Sequence, residues 1–329
     1  MPGNPPTIYD VAKEAGVSIA TVSRVLNTPH KVNPKTRSSV LEAIDRLGFV
    51  PKAESRDRAR MSIGRIGVLI PFFTAPSFVQ RLRGIASVLS RRDYELVVFP
   101  VDNRARMLSY LETLPLNRNI DGLIIVSQAF DQKVGTRLLE NGLQTVVIEH
   151  FDPRFPTLLI DDVAGGRMAA QYLLKKGHHR FAFVGGSDLP EFGHDPIDGR
   201  MRGFCMALAE AGVDLPQESI FKIVKEPQTI LTKLVKKGLP LAIFAATDLQ
   251  AIVLLKEIRK MGLKSPRDVA IIGFDDIDMA EYVGLTTIRQ PLDESGCIAT
   301  ELLLSRLDNP DRSIQHIQLP LSIVERETA

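Results

Sequence analysis

The chain has 329 residues, of which 44% are hydrophobic, and this length favours two or more domains with sizeable cores. Its net charge is only +2, but the first 65 residues carry eleven Lys or Arg against six Asp or Glu. A basic head therefore precedes a mildly acidic body, which indicates a polyanion as the partner of the head. The only cysteines, Cys205 and Cys297, lie far apart, so we expect neither a disulfide framework nor a zinc site.

The longest apolar runs, such as Ile66–Phe73, are far too short to span a bilayer. No basic segment followed by an apolar one precedes the first predicted helix, so we expect no signal peptide. Together these features predict a cytoplasmic protein with no membrane partner. The six histidines are scattered without ligand spacing, so we expect no metal, and no motif predicts another cofactor.

Capping residues and apolar spacing predict three short helices at the start: Ile8–Ala15 after Thr7, Ile19–Leu26 after Ser18, and a third from Asn33-Pro34 to Gly48. Two helices joined by a tight glycine turn and braced by a third form a helix-turn-helix. The second helix of such a unit can lie in the major groove of DNA. The alternative is a three-helix bundle that does not bind DNA.

The second predicted helix carries small side chains, which let its backbone come close to DNA. Its one arginine, Arg24, can donate two hydrogen bonds to a guanine. Hydroxyl or amide groups suited to phosphate oxygens occur on Tyr9, Thr21, Ser23 and Asn27. The pattern therefore predicts a helix that reads DNA with its N-terminal residues.

The segment TIYDVAKEAGVSIATVSRVLN, followed by VNPKTRSSVLEAIDRLGFVP, resembles the DNA-binding head of the lactose-repressor (LacI/GalR) family nearly position for position. The resemblance implies that the chain binds double-stranded operator DNA as a homodimer. It places base readout on Ile19, Ala20 and Arg24, and backbone contacts on Thr21, Ser23 and Asn27. The complete set of DNA-binding residues predicted in the head is Tyr9, Ser18, Ile19, Ala20, Thr21, Ser23, Arg24 and Asn27.

Residues 51–65 read PKAESRDRARMSIGR and have almost no apolar face, so this segment alone in water is expected to be disordered. In the similar family it forms a short helix in the minor groove, where a leucine from each subunit opens the central base step. Arg58 stands at that leucine position here, and Lys52 stands where asparagine is usual. We hypothesise that Arg58 enters the minor groove electrostatically and kinks the operator less than a wedge does. A plain charged linker is the alternative.

From Ile66 onward, near-continuous apolar strands alternate with amphipathic helices, which is the pattern of parallel sheets covered on both faces. The roughly 260 residues of this pattern are long for one open sheet, so we predict two doubly wound halves. The predicted strands are 66–70, 95–99, 123–126, 146–149, 181–184, 219–224, 241–245 and 269–274. The predicted helices include 77–91, 164–176, 199–211, 249–261 and 292–307.

Ligands of such sheets bind beyond the carboxyl ends of the strands, and polar and aromatic residues gather at these positions. Carboxylates and a guanidinium beside aromatic faces suit a neutral polyhydroxylated ligand. The predicted effector-binding residues are Phe72, Phe73, Ser77, Phe78, Glu149, His150, Arg200, Asp248, Asp275 and Gln290. Taken singly, each has a simpler structural role: Asp248 can cap a helix, and Arg200 can pair with Glu210 or Asp198 at the surface.

The segments LLKKGHHRFAFVGG, RMRGFCMALAEAG, FAATDLQAI and VAIIGFDDIDMAEYVGLTTIRQPL resemble the effector-binding core of the same family, which has the fold of periplasmic sugar-binding proteins. The resemblance supports Arg200, Asp248 and Asp275 as effector ligands and implies three crossings of the chain between the halves. Thr247 and Asp162 stand where the family usually has asparagine, which bears on the ligand that fits.

The resulting domain prediction is a DNA-binding domain over 1–50, a hinge over 51–65, and an effector-binding and dimerisation domain over 66–329. Within the last, the N-subdomain covers about 66–160 and 291–318, and the C-subdomain about 161–290 and 319–329. The predicted fold class is an all-α helix-turn-helix head joined to an α/β periplasmic-binding-protein-like core of two doubly wound parallel-sheet subdomains.

The leading interpretation is a dimeric transcriptional regulator, acting as a repressor, whose operator affinity is controlled by a sugar bound between the subdomains. One alternative keeps the regulator and replaces the sugar with a purine, a sugar phosphate or a protein corepressor. A sugar-binding transport protein would share the core, but the head argues against it. We expect no enzymatic activity, because the glycine-rich FVGGSD lacks the spacing of a dinucleotide or phosphate loop.

Overall fold

The computed structural model describes residues 6–49, 64–117, 119–186, 196–221 and 226–329, without the side chains of Asn27 and His30. Lys52 and Arg58 of the predicted hinge lie outside these residues, so the minor-groove hypothesis stays a prediction. None of the helices within the described ranges is long and apolar enough to cross a bilayer.

The head consists of helices α1 (Ile8–Glu14), α2 (Ile19–Asn27) and α3 (Pro34–Leu47), with a short 3₁₀ turn at Pro29–Lys31. The backbone N–H and the hydroxyl of Thr7 each donate to the Asp10 carboxylate at 2.7 Å, so the first helix begins with a capping box. Gly48 ends α3 with a φ of 60°, a conformation that glycine adopts without strain. The three predicted helices therefore form within one residue of their predicted bounds.

After the head, strands and helices alternate. In chain order they are β1 Gly64–Pro71, α4 Pro76–Leu89, β2 Tyr94–Val101, α5 Arg104–Asn117, β3 Gly122–Val126, α6 Gln132–Glu140, β4 Gln144–Ile148, β5 Thr157–Leu159, α7 Asp162–Lys175, β6 Phe181–Val184, α8 Pro196–Glu210, β7 Ile220–Phe221, α9 Pro227–Lys236, β8 Leu241–Ala245, α10 Asp248–Lys260, β9 Val269–Asp275, α11 Asp278–Tyr282, β10 Thr286–Arg289, α12 Leu292–Asp308, β11 His316–Gln318 and β12 Ser322–Val324. A further 3₁₀ turn covers Gln217–Ser219.

Within the described parts of the chain, the strands form two sheets of six. The first has the order β11-β5-β4-β3-β1-β2 and is parallel throughout. The second has the order β12-β10-β9-β8-β6-β7 and is parallel except for β12, which runs antiparallel to β10. Apolar side chains fill clusters on both faces of each sheet. This architecture confirms the predicted fold class.

Within the described residues the chain passes between the two sheets three times: between β5 and β6, between β10 and α12, and between β11 and β12. Helix α12 belongs with the first sheet, because Ala299 and Leu303 pack in one cluster with Ile66 and Ile124. The carboxyl ends of the central strands of both sheets therefore flank a common cleft, and the passage after β10 lies in it.

In the first half of the core, α4 and α12 cross at two glycines. A Cβ atom added at Gly84 would lie 2.0 Å from the carbonyl oxygen of Asp293, and one at Gly296 would lie 2.2 Å from that of Arg81. Both distances are far below van der Waals contact, so any larger residue would force the helices apart. The crossing fixes the backbone of Arg81 against α12.

The second half contains the equivalent crossing between α7 and α8. A Cβ atom at Gly166 would lie 1.9 Å from the carbonyl oxygen of Arg200, and one at Gly203 would lie 1.9 Å from that of Val163. Here too a glycine of one helix lies against the backbone of an arginine on the other. Each half of the core thus fixes one arginine by a close helix crossing.

Candidate functional site

Several side chains of α1 and α2 in the head face solvent. Tyr9 and Ile19 are 68% and 40% exposed although both are large and apolar, and Ala20 and Arg24 are also exposed. On the opposite side, Val22 and Val25 are buried in the cluster that holds the three helices together. A surface on which apolar and basic side chains face solvent together is typical of a recognition helix.

The remaining head residues of the predicted set lie at the start of α2, within it or at its end. The Ser18 hydroxyl accepts from the Thr21 backbone N–H at 3.2 Å and lies 2.9 Å from the Thr21 hydroxyl. Ser23 is half-buried. Asn27 is the last residue of α2, and its side chain lies outside the described part of the chain. DNA contact by these residues stays a prediction.

At the cleft, the first half presents an arginine paired with a glutamate. Arg81 of α4 is only 3% exposed, and its guanidinium donates to the Glu149 carboxylate just after β4. The hydroxyl of Ser127, just after β3, donates to the other oxygen of that carboxylate. Burial alone would raise the pKa of Glu149, but the charge of Arg81 and hydrogen bonds from Arg81 and Ser127 lower it to about 2.

The second half presents Arg200 of α8 among carboxylates. Its Nε donates to Asp162 Oδ1 at 2.8 Å, and its Nη1 donates to the carbonyl oxygen of Ala246 at 2.7 Å. The same Nη1 lies 3.6 Å from Asp275 Oδ1, and the guanidinium carbon lies 3.6 Å from the centre of the Phe274 ring. The arginine is therefore held by an ion pair, a carbonyl and an aromatic face.

Gln290, in the passage between β10 and α12, joins the two halves. Its amide N–H donates to Asp275 Oδ1 at 2.5 Å, and its amide oxygen accepts from Arg81 Nη2 at 2.9 Å. Burial raises the pKa of Asp275, and Arg200 and Gln290 lower it only in part, which leaves it at about 6. A continuous polar network, named here the cleft network, runs through Asp162, Arg200, Asp275, Gln290, Arg81 and Glu149.

Asp248 lies behind this network. Its Oδ2 accepts from the Ile277 backbone N–H at 2.9 Å, and its Oδ1 accepts from the Thr287 hydroxyl at 2.5 Å. Burial, and then the nearby Asp275 charge, raise the pKa of Asp248 well above its usual range. Thr247 rather than Asp248 caps α10, since its hydroxyl accepts from the Gln250 N–H at 3.3 Å. Both oxygens of Asp248 are thus engaged inside the second half, and its effector role stays a prediction.

The other residues of the predicted effector set differ in their surroundings. Phe72 has a φ of 42°, and Phe73 is exposed. Phe78 packs on the apolar cluster of the first half, and Ser77 is half-buried. The His150 ring meets the Phe130 ring edge to face at 5.5 Å. The structure therefore brings together Glu149, Arg200, Asp275 and Gln290 of the predicted set.

One small cavity adjoins the cleft network on the side of the first half. This cavity, lined by Arg81, Glu149, Leu158, Gln290 and Pro291, has a volume of about 10 Å³. A cavity of this size is about large enough for a single water molecule.

Arg81, Ser127 and the pairing of Asp162 with Arg200 were missing from the predicted site. One signal for Arg81 was present in the sequence: it lies three residues after Phe78 and four before Ile85, on the apolar stripe of α4. A charged residue in a buried stripe needs a partner. For Ser127 we find no such signal.

Comparisons with known proteins agree with this arrangement. Residues 7–52 match the family model "Bacterial regulatory proteins, lacI family", and residues 170–329 match "Periplasmic binding protein-like domain". The chain is 30% identical to catabolite control protein A of Priestia megaterium, over 98% of both chains. It is also 30% identical to the ribose operon repressor of Escherichia coli K12, over 98% of this chain and 99% of the relative.

A solved LacI family transcriptional regulator from Enterococcus faecium, with bound ribose, superposes with a TM-score of 0.69 at 29% identity. The match covers 80% of this chain and 98% of that structure. The similarity to the sequence relatives extends over both the head and the core. The chain belongs to the LacI family of bacterial transcriptional regulators, and it is a DNA-binding regulator, not an enzyme.

Proposed function

We propose that this regulator is a cytoplasmic homodimeric repressor that binds a pseudo-palindromic operator through α2 and responds to a neutral sugar bound between its two core halves. The observation that carries the proposal is the cleft network, which connects the halves through buried side chains that a polyol could replace. Guanidinium groups donate to sugar hydroxyls, and carboxylates accept from them.

The charges of the cleft favour a neutral effector. Arg81 and Arg200 are each paired with a carboxylate, Glu149 and Asp162, and Asp275 adds a further acid with a pKa of about 6. A phosphate group would bring negative charge next to these acids, which is unfavourable at low dielectric. The ribose operon repressor among the relatives and the ribose-bound neighbour also support a sugar.

We further propose the subdomain division given by the sequence, in which the N-subdomain contains residues about 66–160 and 291–318. The membership of the sheets supports it, because β11 pairs with β5 in the first sheet and β12 pairs with β10 in the second. A sugar that enters the cleft would shift one subdomain against the other around the three connecting passages.

An exposed apolar face supports the homodimer. Its members, named here the dimer face, are exposed large side chains on α4, α10 and α11: Val79, Leu249, Val253, Met279 and Tyr282. The three helices are neighbours, since Gln80 accepts from the Asp278 N–H at 3.2 Å and Asp248 accepts from the Ile277 N–H. Contiguous exposed apolar residues mark protein interfaces, and a second copy of the chain fits this face.

Replacing Tyr282 with Asp tests this face. Tyr282 is 87% exposed, so the substitution leaves the fold intact while it places a charge within the contact. We expect sedimentation equilibrium to show monomers for Tyr282→Asp and dimers for Ile314→Asp, an exposed apolar position on the loop after α12. Dimers for both variants would refute the proposed face.

Operator recognition is tested by Arg24→Ala, with Arg46→Ala as the matched control. Both variants remove one exposed positive charge from the head, but Arg46 lies on α3 and pairs with Glu14. We expect Arg24→Ala to weaken binding to a duplex selected from a random library by about 1–3 kcal/mol and to relax preference at one base pair. Equal selectivity of the two variants in anisotropy titrations would contradict the assigned reading helix.

Sugar recognition is tested by thermal unfolding in a panel of neutral sugars that includes D-ribose. A ligand of the native state raises the midpoint as its concentration rises. The sugar that does so should change operator affinity, and operator should change sugar affinity by the same factor. A response to a purine or a sugar phosphate, and to no neutral sugar, would establish the alternative effector.

A further inference from the structure

Helix α5 is buried on two sides. Its residues Thr113, Leu114, Pro115 and Leu116 are all buried, although four consecutive helical residues point in different directions. Leu114 packs in the apolar cluster beneath the first sheet, whereas Leu116 packs in the cluster that forms the interior of the head. One helix of the core therefore supplies a side chain to the hydrophobic interior of the DNA-binding head.

Polar contacts surround Leu116 at this boundary. The side-chain amide of Asn117 donates to the carbonyl oxygen of Leu26, near the C-terminal end of α2. A backbone carbonyl at the end of a helix lacks an intrahelical partner, and the amide supplies one. The contact therefore ties the reading helix itself to the core.

Two ion pairs extend the boundary to α3. The guanidinium of Arg137 on α6 donates to the Asp45 carboxylate, and Arg37 Nε lies 3.3 Å from Glu112 Oε2. The Arg137 side chain is only 10% exposed, and it also donates to the carbonyl oxygen of Glu112 at 3.4 Å. A guanidinium buried this far requires a carboxylate partner, and here the head provides it.

The contact leaves the DNA-reading end of the head accessible. It covers the C-terminal end of α2 and one side of α3, while Ile19 and Ala20 remain exposed at the opposite end of α2 and Arg24 remains exposed in its last turn. Docking of the head in this position is therefore compatible with insertion of α2 into a groove.

We infer that Glu112, Leu116, Asn117 and Arg137, named here the head platform, form a docking surface for the DNA-binding head of the same chain. The head then moves with the N-subdomain as one unit. A displacement of that subdomain reaches the reading helix through this packed contact as well as through the covalent connection. This inference does not depend on which effector fills the cleft.

The test is a charge reversal at Asp45 in the full-length protein. In Asp45→Arg the new cation faces Arg137, and we expect the head to leave the platform. The matched control is Glu42→Arg on an exposed position of the same helix, whose partner is Ser38 within α3. Both variants change the head charge equally, so any general effect on DNA attraction is the same in the two.

Hydrogen exchange of the peptides that end at Asn117 is the direct readout. We expect exchange of the last turn of α5 to be about tenfold or more faster in Asp45→Arg than in Glu42→Arg, because the platform loses its cover. The double variant with Arg137→Asp should return exchange to the control rate, since the pair is restored with reversed charges. Restoration also excludes unfolding of α3 as the cause.

Operator affinity provides a second readout. A head released from the platform has to be ordered again on binding, so Asp45→Arg should bind the selected duplex more weakly than Glu42→Arg, and the double variant should recover. Equal exchange in Asp45→Arg and Glu42→Arg would overturn the inference, as would a double variant that exchanges as fast as Asp45→Arg. If the wild-type protein bound no duplex selectively, the proposed function would be refuted, but the hydrogen-exchange result would still test the head platform.

Discussion

Gly296 of α12 lies against the backbone of Arg81 in one half of the core, and Gly166 of α7 lies against the backbone of Arg200 in the other. Both guanidiniums extend from these crossings to a carboxylate at the cleft. The same packing arrangement thus places an arginine on each wall. The helix crossings therefore fix the backbone positions from which the charged groups of the cleft extend.

The two walls differ in their acids. Arg81 is balanced by the single carboxylate of Glu149, whose pKa is lowered to about 2. Arg200 stands between Asp162 and Asp275, and the pKa of Asp275 is raised to about 6. The first wall is electrically balanced, whereas the second carries an excess of acid.

The largest difference between the walls is expected in the free energy of unfolding when each arginine is replaced. We expect Arg200→Met to lower the free energy of unfolding by about 3–5 kcal/mol, because Asp162 and Asp275 are left buried without a cation. Arg81→Met should cost less, about 2–3 kcal/mol, since Glu149 keeps its hydrogen bond from Ser127. Urea denaturation measures both values.

The control for these variants is Arg167→Met. Arg167 pairs with Glu210 at the surface, and the pKa of that carboxyl is lowered chiefly by this hydrogen bond. An exposed pair of this kind contributes little to stability, so no change in the urea midpoint is expected. If Arg200→Met left the urea midpoint as unchanged as Arg167→Met does, the ion pairs of Arg200 would not contribute to the stability of the folded protein.

Substitutions at the glycines of the helix crossings should have the next largest effect on the free energy of unfolding. Gly166→Ala and Gly296→Ala each place a methyl group within 2.2 Å of a backbone oxygen, and we expect a loss of about 1–3 kcal/mol in unfolding free energy. In Gly122→Ala the nearest atoms belong to the Leu303 side chain, at 3.0 Å, which can move aside. A smaller loss in Gly122→Ala is therefore expected; equal losses at all three positions would show that the crossings are not tightly packed.

The pH dependence of stability should have opposite signs for the two walls. The pKa of Asp275 is raised, so the protonated carboxyl stabilises the folded state. This contribution to the free energy of unfolding is fully present below about pH 4 and is lost as the pH rises through about 6. Relative to wild type, Asp275→Asn should therefore gain stability across that window, on the order of 1–3 kcal/mol.

Glu149 has a lowered pKa, so its contribution is present above about pH 4.5 and is lost as the pH falls through about 2. Wild type should therefore lose stability relative to Glu149→Gln only in that acidic range. Thermal unfolding between pH 3 and pH 8 compares the two variants directly. Parallel pH profiles for the two would contradict the difference between the walls.

The smallest effect is expected for an exposed connection between the halves. Arg83 of α4 donates to Asp278 of α11 and to Asp293 of α12, and its side chain is 53% exposed. Because solvent screens these charges, Arg83→Gln should cost about 0–1 kcal/mol in unfolding free energy, and less at high salt. A loss as large as that of Arg81→Met in urea denaturation would place the main connection at the surface instead of in the cleft network.

The head could be predicted from the sequence because its determinants are local. Caps at Thr7, Ser18 and Gly48 lie within a few residues of the helix ends they specify. The rule that strand ends meet at one edge also predicted correctly that Glu149, Arg200, Asp275 and Gln290 lie together. That rule needs only the strand positions.

The rest depended on contacts between distant residues. Arg81 joins the cleft because α4 crosses α12, more than 200 positions away, and no local pattern reports that crossing. Asp248 follows a strand as predicted, but the Thr287 hydroxyl and the Ile277 N–H hold its carboxylate inside the second half. Helix α5 was not among the predicted helices because the head and the core both bury it, so it has no single apolar stripe.

The amide oxygen of Gln290 accepts from the Arg81 guanidinium, and its amide nitrogen donates to the Asp275 carboxylate. Glutamine and glutamate codons differ by one base. One nucleotide substitution at position 290 would therefore add a fourth carboxylate to the cleft network, beside Glu149, Asp162 and Asp275, and would favour a cationic ligand over a neutral one. Under the proposed function, such a change would alter which ligand fits between the two halves of the core and leave the fold as it is.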